Sequence, residues 1–450
     1  MKIMAMRFSI YTLLVLSVYF ISNCPVNLAH RNEDDPTIKT MEEFSGYPIH
    51  ESHFLNSLSS LSVDAETLQK QIDELSSFSD SPAPSVTRIL YSEKDVLSRR
   101  TGSEPELAPV STGSHTDAIP YSGKYDGVVG VLGAIEAINV LKRSSFKPKR
   151  SLDVIMFTSE EPTRFGIGCL GSRLLARSKE LAQQLEKTVD GQNVSFFDAA
   201  KSAGYMNVEK LSTVFLVKGS YSAFVELHIE QGPILEEEAT SIGIVTAIAA
   251  PASIKVDFEG TGGHAGAVLM PKRNDAGLAA AELALAVEKH VLESGSIDTV
   301  GTVGILELHP GAINSIPSKS HLEIDTRDID EERRNSVIDK IYESALNISK
   351  RRGVKLSEYK IVNQDPPALS DELIIKAAES ASQELKLTYK KMISRAYHDS
   401  LFMGRVSPMG MIFIPCYKGY SHKPEEFATI DHIADGVKVL ALTLAKLSLS

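Results

Sequence analysis

Cysteine is scarce: Cys24, Cys169 and Cys416 are the three in 450 residues. That number excludes a disulfide framework, so the fold must be held by packing even in an oxidising compartment. Positive charge is also short, with 47 Lys and Arg against 58 Asp and Glu for a net charge of −11. No basic stripe reverses this balance, which argues against a nucleic-acid surface. The one long apolar run, Phe8 to Ile21, is short of the roughly 20 residues that span a bilayer. Lys2 and Arg7 precede it and a small-residue exit near Ala29 follows, the layout of a secretory signal peptide. Residues 1–29 are therefore set apart from the fold, and the mature chain is expected in the secretory pathway, in the endoplasmic reticulum lumen, without a stable membrane anchor. With Cys24 removed, two cysteines remain.

What is present is ordinary for a globular protein: 43% apolar and 23% charged residues. The length favours two domains. Residues 30–84 are polar and Ser-rich, with one helix expected at Ala65–Ser76. From Val110 short β-rich runs alternate with helical stretches: Val110 to His115, Val128 to Arg143, Ser151 to Ser159, and Leu174 to Glu186. This order predicts an α/β layered sheet with functional groups at loop ends. The glycine-rich start of the Val128 helix predicts close packing on that sheet. Near Gly243 a second pattern begins, with strands at Ile254–Glu259, Thr302–Leu308 and Ser320–Asp328 and helices at Ala276–Glu293 and Glu331–Lys350. It suits a small α+β sandwich of one sheet and two helices. The domains expected are thus a discontinuous catalytic domain with a mixed sheet flanked by helices, residues 45–245 and 365–450, and an inserted lid and dimerisation domain, residues 246–364. Asn193-Val-Ser195 and Asn347-Ile-Ser349 fit the glycosylation pattern.

Five short strings carry chemistry: GSHTD from Gly113, KYDG from Lys124, TSEE from Thr158, ELHIEQG from Glu226 and SHKPEE from Ser421. Their histidines, lone aspartate and glutamate pair suit Zn²⁺ or Mn²⁺ better than Ca²⁺, which prefers oxygen ligands. His115 closes a strand, and Asp117 two residues on shares its face if the strand continues. His115 is read as a ligand and Asp117 as the carboxylate that orients its imidazole. Asp126 lies in a glycine-flanked loop before a helix, where its two oxygens can bridge two ions. Alone it would be read as a helix cap. The apolar strand SLDVIMF ends in two adjacent acids, an unfavourable pairing unless a cation or proton compensates. Glu161 can ligate while Glu160 takes the proton of the attacking water. His228 and His422 complete the set. Single histidines are more often structural; five candidates at strand ends reverse that balance.

These strings, with SEEPTRFG, GGHAG, PGAINSIP and DTRD in the same order, resemble the di-metal amidohydrolase and exopeptidase family, in its branch acting on carbamoyl and ureido compounds. The resemblance runs from about Val110 to the C-terminus. RAYHDSLFM from Arg395 and PCYKGYSHKPEE from Pro415 are more similar to the plant ureidoglycolate-cleaving members than to the allantoate-cleaving ones. The resemblance implies two divalent ions per subunit, Mn²⁺ before Zn²⁺ or Ni²⁺, one held by His115, Asp126 and His228 and the other by Asp126, Glu161 and His422. It implies Glu160 as general base and a homodimer in which His264 reaches the partner's site and stabilises the oxyanion. Gln231, Asn314 and Arg327 match positions that hold the substrate's polar end, and Tyr397 and His398 positions that touch a small-molecule ureide. A guanidinium fork suits a small carboxylate independently of the family. The alternative for Arg327 is an ion pair within the Asp325 to Asp330 run.

One departure stands out. The family's helix, strand and second strand before the H-x-D string are compressed here into EKDVLSRR and TGSEPELAPVSTGSH, a shortfall of roughly 25 residues on typical element sizes. The strand beside His115 is thus expected to lose a neighbour and to demand a substitute partner. Three functions follow: hydrolysis of the ureido C–N bond of ureidoglycolate, hydrolysis of allantoate or another N-carbamoyl amino acid at the same site, or a silent dimerising protein that keeps the ligands out of register.

Overall fold

In the computed structural model, which describes residues 61–77, 79, 86–88, 99–100, 102–204 and 211–450, the strands Val110–His115 and Ala223–Ile229 are buried along their whole length. Such unbroken burial marks central strands of a parallel sheet covered on both faces. Val110–His115 pairs in parallel with Leu152–Phe157 on one side and with Ala223–Ile229 on the other. The crossover to Leu152–Phe157 is the helix Val128–Arg143. Its glycines permit the close approach expected from sequence: a Cβ on Gly130 would lie 2.4 Å from the Leu227 carbonyl oxygen. The chain divides into two compact units, the first comprising its described residues up to Gly243 with Lys376–Tyr389 and Ile412–Ser450, the second Ile244–Ile375 with Lys390–Met411. The first unit's opening stretch ends at Gly243, and the returning segment alternates between the units, with breaks after Ile375, Tyr389 and Met411. The expected signal segment, residues 1–29, and most of Glu93 to Arg100 lie outside the described residues.

The strand beside His115's own is Leu152–Phe157, and among the described residues its outer edge is met by only two, Arg99 and Arg100, antiparallel to Asp153 and Leu152. The Val110–His115 strand itself is paired on both edges. The shortened segment therefore falls one strand away from the ligand-bearing one. A further difference lies in the stretch expected as one helix over Leu174–Glu186. It is two helices, Leu170–Leu175 and Lys179–Leu185. Arg177 takes a left-handed φ of 67° between them, and Ser178 caps the second by accepting from the Leu181 amide. A serine cap followed by an acid in the first turn is a start signal that apolar periodicity alone overlooks.

The second unit contains a four-stranded antiparallel sheet ordered Val300–His309, Lys319–Asp328, Ala250–Glu259, Lys355–Gln364. Burial alternates along both central strands. Ile254, Val256, Phe258, Leu322 and Ile324 share one core with Leu283 and Val287 of the helix Ala276–Leu292 and Val337 and Ile341 of the helix Glu331–Arg352. This is the sheet with two helices read from the sequence, and its period-two pattern is what puts one face inward.

The other face is charged. Directly opposed residues pair there: Lys255 with Glu323 at 2.6 Å, and His321 Nδ1 with Asp257 at 2.5 Å. Partial burial works to lower the His321 pKa, but the Asp257 and Glu323 carboxylates outweigh it and the net shift is upward. A raised folded-state pKa adds stability that is complete below the unfolded value of about 6.5 and is lost as pH rises through the folded one. Replacing His321 by Gln is accordingly expected to lower the melting temperature more at pH 5.5 than at pH 9, as thermal denaturation at the two pH values will show.

Candidate metal centre

The five strings come together at the carboxyl ends of the first unit's strands, the edge where parallel sheets present ligands. His115 is the last residue of Val110–His115, His228 is next to last in Ala223–Ile229, and Glu160 and Glu161 follow Leu152–Phe157. Asp126 precedes the helix Val128–Arg143, and His422 follows the strand ending at Ile414.

Asp126 lies at the middle. Its Oδ1 is 3.0 Å from His228 Nε2 and 3.6 Å from His115 Nε2. Its Oδ2 is 3.2 Å from His422 Nε2, which is also 3.2 Å from Glu161 Oε1. Two groups that share Asp126 result: His115, Asp126 and His228, and Asp126, Glu161 and His422. Ligands held at about 2.1 Å in a tetrahedral shell lie roughly 3.4 Å apart, so these spacings fit one cation on each side of the carboxylate. Glu161 Oε1 is buried and, despite its approach to His422, has no partner in hydrogen-bond geometry among the described residues. A buried carboxylate oxygen left so calls for a cation.

The electrostatics agree. Burial alone would lower the His115 pKa, yet the hydrogen bond to Asp126 and the charges of Glu160 and Asp117 hold it well above its ordinary value. Burial is likewise outweighed at His422, whose pKa is pushed up to about 11 by Asp126 and Glu161. Asp126 shows the reverse: burial raises its pKa, but three imidazoles hold it well below the usual carboxylate range. Clustered carboxylates therefore draw positive charge onto the imidazoles, and divalent ions answer the same demand.

Asp117 differs from its expected geometry. The strand stops at His115, and the Asp117 backbone carbonyl, rather than its carboxylate, approaches His115 Nδ1 most closely, at 3.1 Å. The carboxylate, 3.6 Å from that nitrogen, accepts the backbone N–H groups of Glu160 and Glu161 at 3.2 and 2.9 Å. It thus fixes the turn presenting both acids. Burial leads in raising its pKa to about 6.

Glu160 lies outside both ligand groups. One carboxylate oxygen is 3.9 Å from His115 Nε2, and the other accepts from the buried Cys169 thiol at 3.2 Å. Gln231, at a left-handed φ of 59°, donates to Asp126 Oδ2 at 2.8 Å and to the Ser421 hydroxyl at 3.1 Å. Its amide oxygen is buried without a partner among the described residues. Sequence reasoning missed Cys169, Ser421 and Glu426. Glu426 closes the SHKPEE string and is buried against this centre, and burial followed by the Asp126 charge pushes its pKa to about 7. A second acid ending a ligand-bearing string was the available signal.

The remaining expected residues belong to the second unit. His264 is exposed on a two-residue strand paired with Ser315–Ile316, and its Nδ1 accepts the Gly266 N–H at 3.1 Å. Asn314 is exposed and its carbonyl accepts the Ala265 N–H. Arg327 donates to Asp325 at 2.7 Å, the ion-pair alternative, and to the Arg395 carbonyl at 3.3 Å. The Tyr397 hydroxyl donates to Asp365 at 2.7 Å, and His398 Nε2 lies 2.9 Å from the Ser394 hydroxyl.

The chain matches Peptidase family M20/M25/M40 over residues 111–446. It belongs to this family. This M20 chain is a hydrolase, and M20 enzymes use divalent metals. It is 71% identical over 456 residues to the ureidoglycolate hydrolase of Arabidopsis thaliana, covering 94% of this chain and 96% of that protein. The ureidoglycolate hydrolase of Oryza sativa subsp. japonica is 69% identical, with 91% of each chain covered. The crystal structure of AtUAH in complex with glyoxylate superposes with a TM-score of 0.82 at 73% identity, over 88% of this chain and all of that one. The 456-residue span of the first match exceeds this chain's 450 residues, so that relative carries residues with no counterpart here.

Gly127 gives the M20 site a direct test. Its φ is +64°, and an added Cβ would lie 2.5 Å from the His115 ring. Gly127→Ala is expected to displace that imidazole and lower the divalent-metal content of the purified protein, as elemental analysis against the parent chain will show.

Proposed function

We propose that this hydrolase cleaves the ureido C–N bond of (S)-ureidoglycolate, giving glyoxylate, ammonia and carbon dioxide in ureide catabolism, with two Mn²⁺ ions per subunit. The observation that carries the chemistry is Asp126, whose two oxygens face two separate ligand groups. The substrate assignment is supported by the relatives' similarity. Divalent cations at this site would polarise the ureido carbonyl and make water a stronger acid.

The chain's own residues do the rest. Glu160 takes the proton of the attacking water and delivers it to the departing nitrogen as the C–N bond breaks. Ammonia leaves, and the carbamate left behind loses carbon dioxide and a second ammonia to give glyoxylate. Asp117 holds the Glu160 and Glu161 amides and so keeps Glu160 turned inward. The free Gln231 oxygen accepts a ureido N–H, because an unpaired buried acceptor discriminates for a donor. Arg327 and Asn314 hold the carboxylate, His264 from a partner subunit stabilises the oxyanion, and Tyr397 with His398 narrows the pocket to a short ureido acid.

The second unit's exposed apolar residues support the homodimer. The edge strand Val300–His309 exposes Leu306 and Leu308, and the helix Ala276–Leu292 exposes Leu285 and Leu292. Apolar surface of this kind beside a strand edge that is unpaired among the described residues favours association. Residence in the endoplasmic reticulum lumen rests on the Lys2 to Ala29 pattern and is tested by imaging a fusion that retains it.

The decisive assay measures glyoxylate and ammonia from (S)-ureidoglycolate and ammonia from allantoate side by side, after chelation and Mn²⁺ return. Faster turnover of ureidoglycolate is expected; preference for allantoate would overturn the substrate assignment. Among the described residues the outer edge of Leu152–Phe157 meets only Arg99 and Arg100, which favours a second reading, a protein that folds but turns over little. Restoring the segment before Ala108 and finding activity only in the restored chain would establish it.

A further inference from the structure

Glu426 is a buried carboxylate that the reaction just described does not use. It is 4% exposed. Its Oε1 accepts two successive backbone N–H groups, from Tyr125 at 2.8 Å and Asp126 at 2.9 Å. Its Oε2 is 3.1 Å from the Ser421 hydroxyl, which is also 3.0 Å from Asp126 Oδ2. Gln231 donates to that hydroxyl and to the same Asp126 oxygen. A hydroxyl has one hydrogen, so Ser421 can give it to Asp126 or to Glu426 but not to both. The seat is closely fitted, since a Cβ on Gly123 would lie 2.4 Å from the Glu426 carboxylate.

The connectivity is informative. Asp126 and His422 are far apart in sequence and belong to the same ligand group. Glu426 grips the backbone of the first and, four residues after the second in the same loop, closes the turn that follows it, its own N–H donating to the Lys423 carbonyl. Burying a carboxylate beside another carboxylate is costly, so its presence calls for a compensating use. Two backbone N–H groups on one oxygen set the height and rotation of the Asp126 peptide. That orientation decides whether the side chain can offer one oxygen to each side.

We propose that Glu426 is a positioning residue for the two-ion centre, locking the Tyr125–Asp126 backbone to the His422 loop so that Asp126 faces both ligand groups at once. This rests on the two-ion reading above. Loss of a partner that orients a ligand costs about 10–100-fold in metal affinity, and reach rather than charge is the property at stake. A glutamine keeps an oxygen at the same distance, whereas an aspartate keeps the charge and retracts it by one methylene.

The test titrates Mn²⁺ into chelated full-length protein by calorimetry and records the melting temperature of each metal-free form. The parent chain, Glu426→Gln, Glu426→Asp and Glu426→Ala are compared, with the exposed neighbour variant Glu425→Ala as control. Two bound ions are expected for the parent and the control. Glu426→Asp and Glu426→Ala are expected to bind the weaker ion about 10–100-fold less tightly, and Glu426→Gln within a few fold of the parent. Should Glu426→Ala not fold, the Asp and Gln pair still decides. Parent-like Mn²⁺ affinity in Glu426→Asp, with only the metal-free melting temperature lowered, would reduce Glu426 to a structural role and overturn the proposal while leaving the centre intact. A loss in Glu426→Gln as large as in Glu426→Asp would overturn it too, since charge would then matter instead of reach. Fewer than two ions in the parent overturns both this proposal and the two-ion reading.

Discussion

Glu160→Gln is expected to lower kcat by about 10²–10⁴-fold, the range for removing a positioned general base, with KM little changed and the metal content of the parent chain retained. The substitution is nearly isosteric. Its amide oxygen can still accept from the Cys169 thiol, which lies 3.2 Å from the native carboxylate, and its backbone N–H still reaches Asp117. What it loses is the capacity to take a proton. Because Glu160 belongs to neither ligand group, metal affinity should hold, which separates this variant from every ligand variant. A hundredfold loss corresponds to about 2.7 kcal/mol of transition-state stabilisation. Steady-state kinetics at saturating Mn²⁺ together with elemental analysis measure both quantities. Activity within tenfold of the parent chain, or loss of metal, would remove Glu160 from the role given to it.

Asp126→Asn has the opposite signature. An amide keeps one oxygen and replaces the other by a nitrogen that cannot ligate, so one ligand group loses its shared member and stoichiometry should fall from two ions to one or none. Activity should drop below detection. The metal-free protein should suffer as well, because Asp126 is a buried anion among three imidazoles. Breaking a buried charge pair costs about 3–5 kcal/mol, and this site has more than one. The pH dependence follows from the depressed Asp126 pKa. A lowered folded-state pKa adds stability above the unfolded value of about 3.9 that is lost as pH falls through the folded one. The gap in melting temperature between the chelated parent and Asp126→Asn should therefore be wide at neutral pH and narrow at strongly acidic pH. A gap independent of pH would contradict the buried-anion account.

Much of this architecture was legible before any coordinate. The helices Ala65–Ser76 and Val128–Arg143 fall on the residues expected, because each carries a clear periodic pattern with a cap or a glycine entry. Four of the five candidate ligand residues stand out because their strings end a strand or open a helix, positions that apolar pattern and glycine mark plainly, whereas His422 lies in a loop after the Met409–Ile414 strand. What stayed hidden depended on contacts between distant segments. Counting along a strand places Asp117 behind His115, but the strand ends at His115, two residues short of Asp117, and the carboxylate turns to amides about 43 residues on. The task of Glu426 is hidden within its own string, since its partners Tyr125 and Asp126 lie some 300 residues earlier. The break at Arg177 was hidden for a local reason, a left-handed residue that is not glycine.

The central claim, one aspartate shared by two cations, is tested most directly by a crystal grown with Mn²⁺ and read by anomalous scattering. Two peaks about 3.5–4 Å apart are predicted, one against His115 and His228, the other against Glu161 and His422, with one Asp126 oxygen bound to each. A single peak, or two that Asp126 does not join, would contradict the account.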